Sequence, residues 1–140
     1  MYKNRKMNEI ILGLLVAVAM IVLTVLLNKY FATKLIAATI LVAIAFIYVG
    51  FALKENTVPI IVFEIMVAVL FYFMALIGYS GKSSLIAFGI ILHGFWDIFH
   101  HKALIVATDI PGYWPSFCLT IDLVYGAYLL YIFKKSYARN

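Results

Sequence analysis

The stretch ILHGFWDIFHH, residues 91–101, places His93, Asp97, His100 and His101 within nine positions of a chain that is 66% hydrophobic. Imidazole nitrogens and carboxylate oxygens are ligands of borderline divalent metals, and the same groups serve as general acids, bases and proton carriers. On a helix turning about 100° per residue, His93, Asp97 and His100 fall within roughly a 60° arc, and His101 widens it to about 100°. They share one face. Along the axis, however, His93 and His100 stand about 10 Å apart, so a single ion cannot take both with Asp97. His93 with Asp97, or Asp97 with His100 or His101, would need completion from another part of the chain.

The remaining candidates are few, because only 12% of residues are charged, against about a quarter in an ordinary soluble domain. Of six acidic residues, Glu64, Asp97 and Asp122 fall within apolar segments. A carboxylate in lipid costs at least a few kcal/mol, so these three should face a bundle interior or a water-filled cavity. The expected metal ligands are therefore His93, Asp97, His100, His101 and Asp122, for divalent Zn or Fe, either as two sites or as one ion with a further histidine behind its ligands. Without a metal, Asp97, Asp122 and Glu64 become the catalytic acid and base or a proton relay. Trp96, Tyr125 and Tyr48 are the expected substrate contacts beside them. Two structural roles compete with these: the two terminal histidines as a polar helix end, and the aspartates as interhelical hydrogen-bonding groups.

The elements that must hold these groups are apolar runs. With a mean hydropathy of +1.08, the chain reads as an all-α integral membrane bundle of about five transmembrane helices and a single domain over 1–140. Runs bounded by charge or turn residues cover 10–27, 35–53, 58–78, 85–101 and 115–133. The first run is about 18 residues long, more than the apolar core of most cleaved signals, so it is expected to remain as a span. NKYFATK, KENT and YSGKSS are of hairpin length and predict antiparallel neighbours. The link KALIVATDIPGYW is longer; Tyr113 and Trp114 suit an interfacial belt.

Lysines and arginines cluster at the chain ends and between the runs, a pattern of headgroup anchors that argues against a nucleic-acid surface. Counted by side for five spans, they divide five against six, so the positive-inside rule does not orient the chain. The fourth run, shortest and most polar, is the first candidate for a segment that does not fully cross. Cys118 is the only cysteine and cannot form an internal disulfide.

Depth brings the acids together. At about 1.5 Å per residue, Asp97 lies about 8 Å below the end of the fourth run, Asp122 about 10 Å below the start of the fifth, and Glu64 about 9 Å into the third. Antiparallel alternation puts all three ends on one side of the membrane. Tyr48 falls in the same half, and Gly94 would admit a close neighbour helix.

His93-Gly94-Phe95-Trp96-Asp97-Ile98-Phe99-His100-His101, followed by Trp114-Pro115, Cys118, Asp122 and Gly126, resembles a family of small multi-pass bacterial membrane proteins of unknown function. The resemblance implies a fold and no mechanism. Seven-helix ceramidase-like metal hydrolases are longer and carry a closing H-x-x-x-H helix that this chain lacks.

Three function classes remain. The first is an intramembrane enzyme, metal-dependent or acid–base, acting on a lipid or isoprenoid-like substrate at the cell membrane. The second is a small proton- or cation-coupled transporter, for which a homodimer is the expected assembly. The third is a non-catalytic scaffold or partner subunit. Membrane lipids are partners in all three.

Overall fold

The computed structural model describes residues 2–55, 57–101 and 108–137, and the side chains of 6–55, 57–99 and 108–136. Five helices follow one another: α1 (Tyr2–Leu27), α2 (Thr33–Glu55), α3 (Val58–Ser80), α4 (Ser84–His101) and α5 (Trp114–Tyr137). Each extends through an apolar run, as a chain in lipid must when only helix or closed barrel can satisfy its own backbone. Pro59 stands in the first turn of α3, where its missing N–H costs little, and Thr57 precedes it in extended conformation. Pro115 occupies the equivalent place in α5, after a turn in which the Trp114 N–H donates to the Pro111 carbonyl.

Four of these helices are long and apolar enough to cross a membrane. The other helix, α4, is apolar and shorter, 18 residues from Ser84 to His101. Its last two turns carry the polar residues Asp97, His100 and His101.

Packing is inverted relative to a soluble bundle. Large side chains such as Leu15, Leu26, Val58 and Leu70 are more than half exposed, whereas Ala37, Ala45, Ala52, Ala68 and Ala75 are buried. Small residues let helix backbones approach where no water-driven collapse favours large ones. The buried positions of α2 (Ala37, Leu41, Ala45, Tyr48, Ala52) and of α3 (Glu64, Ala68, Phe71, Ala75, Gly78) each form one helical stripe. These two helices pack as a hairpin, α4 lies against both and most extensively against α5, and α1 rests mainly on α5. A methyl group at Gly13 would stand 2.8 Å from the Phe117 carbonyl oxygen, which shows how closely α1 meets α5.

Candidate functional site

His93 and Asp97 lie one helical turn apart on α4 and point into the bundle, 3% and 0% exposed. Asp122 of α5, 3% exposed, reaches them because α4 carries glycine at position 94. A Cβ there would be 2.9 Å from the Cβ of Asp122 and 3.4 Å from Leu119 Cδ1. The resulting close approach sets the central contact: His93 Nδ1 lies 2.8 Å from Asp122 Oδ2 and 4.0 Å from Asp97 Oδ2. The Tyr48 hydroxyl, arriving from α2, donates a hydrogen bond to Asp97 Oδ1. Three helices thus supply one imidazole, two carboxylates and one phenol.

Aromatic rings fix the histidine. Phe71 of α3 meets the His93 ring edge-on at 5.4 Å between centroids, and Tyr48 lies tilted at 5.9 Å. The Nε2 atom of His93 is buried and makes no hydrogen bond of good geometry among the described residues, although the Ile44 carbonyl lies near the ring. One atom each from His93, Asp97 and Asp122 falls within 4.8 Å of the others, a spacing that a bound metal ion could close. Charge favours a divalent ion there. Two carboxylates and a neutral imidazole exactly balance two positive charges, so the loaded cluster would be neutral where net charge is costly.

Glu64, 1% exposed on α3, accepts a 2.6 Å hydrogen bond from the Thr108 hydroxyl. Next to it, the Asp109 backbone N–H donates to the Glu55 carboxylate at the end of α2. The approach to α5 is therefore fastened to α2 and α3 on the side of the membrane where the cluster lies. Trp114 continues this wall, edge-on to Phe51 at 5.2 Å, and Phe51 in turn packs against Tyr48.

Placement differs among the other candidates. Trp96 is partly buried and stacks on Phe63, with centroids 6.1 Å apart. Tyr125 is fully buried, but its hydroxyl pairs with Thr24 Oγ1 of α1 at 2.9 Å. Cys118 is a half-buried free thiol. His100 and His101 continue the backbone of α4, while their side chains fall outside the described residues. Thr108 was not singled out from sequence. The one signal for it was a hydroxyl following the apolar run Ala103–Val106, too weak to name a partner.

The hydrogen bond from Tyr48 gives a direct test of the cluster's integrity. Tyr48→Phe is expected to cost about 1–3 kcal/mol, read as a lower unfolding midpoint in detergent, since a buried Asp97 oxygen loses its donor. An unchanged midpoint would show that Asp97 does not depend on the phenol.

A family described as one of unknown function matches residues 8–135, which include every cluster residue. The chain belongs to the DUF6010 family. No curated protein and no solved structure matches it. Membership in DUF6010 carries no assigned chemistry, so the reading of this member rests on the geometry of His93, Asp97, Asp122 and Tyr48.

Proposed function

We propose that the protein is an intramembrane, metal-dependent enzyme of the cell membrane acting on a lipid or isoprenoid-like substrate. The observation that carries this reading is the convergence of His93, Asp97 and Asp122 within coordinating distance in the interior of an apolar bundle. The donor set suits Zn or Fe: the imidazole favours a borderline metal, and the carboxylates supply the compensating charge. Such an ion would act as a Lewis acid and activate water.

The chain's own groups have distinct tasks in this reading. His93, Asp97 and Asp122 hold the metal, and His100 and His101, too far along α4 to share that ion with His93, are candidates for a second one. Tyr48 orients Asp97, as outer partners of metal-bound carboxylates generally do. Glu64, buried and bonded to Thr108, handles a proton or orients the site. Trp96, partly buried beside Phe63, offers flat apolar surface to a substrate arriving from the lipid, whereas Tyr48 and Tyr125 are fully buried. A homodimer is the proposed assembly.

Elemental analysis of detergent-purified protein tests the metal. About one Zn or Fe per chain is expected in the wild type, falling at least roughly tenfold in His93→Ala and Asp97→Asn. A wild type that carries no metal and takes up neither ion on titration would overturn the metal-dependent reading. In that case the same chain of Tyr48, Asp97, His93 and Asp122 favours proton-coupled transport, with pH-driven flux in proteoliposomes that Asp122→Asn abolishes.

A further inference from the structure

The end of the bundle opposite the His93 cluster carries a cavity of about 430 Å³ where the α3–α4 turn meets the last turns of α5. Lys82, Ser83 and Ser84 line it from the turn, and Phe133, Lys134 and Ser136 from α5. Two lysines and three serines thus line one open groove. None of these five side chains makes a hydrogen bond or ion pair to protein among the described residues.

The charge of the whole molecule points the same way. All six acidic residues lie in the half of the bundle that holds the start of α1. The opposite end carries Lys29, Lys34, Lys82, Lys134 and Lys135 and, among the described residues, no carboxylate. Among the described residues nothing acidic is available there to neutralise the lysines of the cavity. Phe133 gives the cavity an apolar flank, and its position at the helix ends places it at headgroup depth.

We propose that this cavity binds a phosphate group, presented by an anionic phospholipid headgroup at the membrane surface. Lys82 and Lys134 supply the charge, and Ser83, Ser84 and Ser136 donate to the phosphate oxygens. The site is independent of the metal-dependent reading, since it lies at the other end of the molecule and shares no residue with it.

Native mass spectrometry of the whole protein, from micelles doped with phosphatidylglycerol or with phosphatidylcholine, tests the proposal. Phosphatidylglycerol is expected to be retained in preference to phosphatidylcholine. Retention should fall roughly tenfold in the double variant Lys82→Gln with Lys134→Gln, because each lysine near the headgroups contributes on the order of a few-fold in binding. Lys29→Gln with Lys34→Gln removes the same charge from the same end but outside the cavity, and should lower retention severalfold less than the cavity pair does. Size-exclusion profiles check that each variant is folded. A second arm titrates inorganic phosphate. If phosphate binds to wild type and not to the cavity variant while phosphatidylglycerol is not retained, the phosphate site stands and its ligand is the free anion. Equal retention by the two double variants, or equal retention of the two lipids with no phosphate binding, would overturn the site.

Discussion

Asp122→Ala, examined in protein stripped of metal by a chelator, is expected to lower the unfolding free energy by about 3–5 kcal/mol. The loss is large because Asp122 is the 2.8 Å partner of a histidine that is itself 3% exposed. Removing the carboxylate strands the imidazole in a bundle interior with Asp97 at 4.0 Å as its remaining ionic neighbour. Most of that cost is the penalty of a stranded polar group and not the intrinsic worth of the pair. The double variant His93→Leu with Asp122→Leu should therefore recover most of the lost stability, while metal uptake disappears in both. A double variant that loses the sum of the two single losses would show that the groups are not energetically coupled. This pattern separates a cluster retained for chemistry from one retained for stability: if apolar replacement restores the fold, stability is not what the polar groups contribute.

Gly94→Ala should produce the second large effect, and from a single methyl group. The added carbon would sit 2.9 Å from Asp122 Cβ, and this neighbour cannot swing away because it is fixed to the α5 backbone. The two helices must part, at about 1–3 kcal/mol, and Asp122 moves away from His93 as they do. Metal uptake should fall along with the unfolding midpoint. Gly50→Ala is the matched control. Nothing lies within 4 Å of a Cβ there, so the same substitution within α2 should stabilise by up to about 1 kcal/mol through helix propensity. The same chemical change with opposite signs at two helical glycines isolates interhelical spacing as the cause. If both substitutions were neutral, close α4–α5 contact would not govern the site.

Depth along each helix was legible in the sequence because the rise per residue is fixed, and counting from helix ends brought Asp97, Asp122, Glu64 and Tyr48 to one level. Rotation was less legible. Glu64 shares that level, yet its described partner is Thr108, supplied by a connection whose course no periodicity encodes. Tyr125 follows Asp122 by one turn on α5, and still its hydroxyl turns to Thr24 of α1. Both outcomes depend on which helices become neighbours, and in a uniformly apolar chain the hydrophobic pattern scarcely distinguishes one face from another. Glycine was the better guide: Gly94 marked the face of α4 that α5 approaches, for steric reasons that hold in lipid as in water.

The short apolar length of α4 has a consequence for the surrounding bilayer. From Ser84 to His101 the whole helix is about 27 Å long against a hydrocarbon core of about 30 Å. A helix with that hydrophobic mismatch is accommodated by local thinning of the lipid and inward movement of the headgroups. Because His93 and Asp97 lie in the last two to three turns of α4, such thinning would draw the aqueous boundary toward them, while the other four helices are long and apolar enough to cross. The bilayer itself thus becomes a control on hydration of the cluster, and acyl-chain length a variable to which the protein should respond.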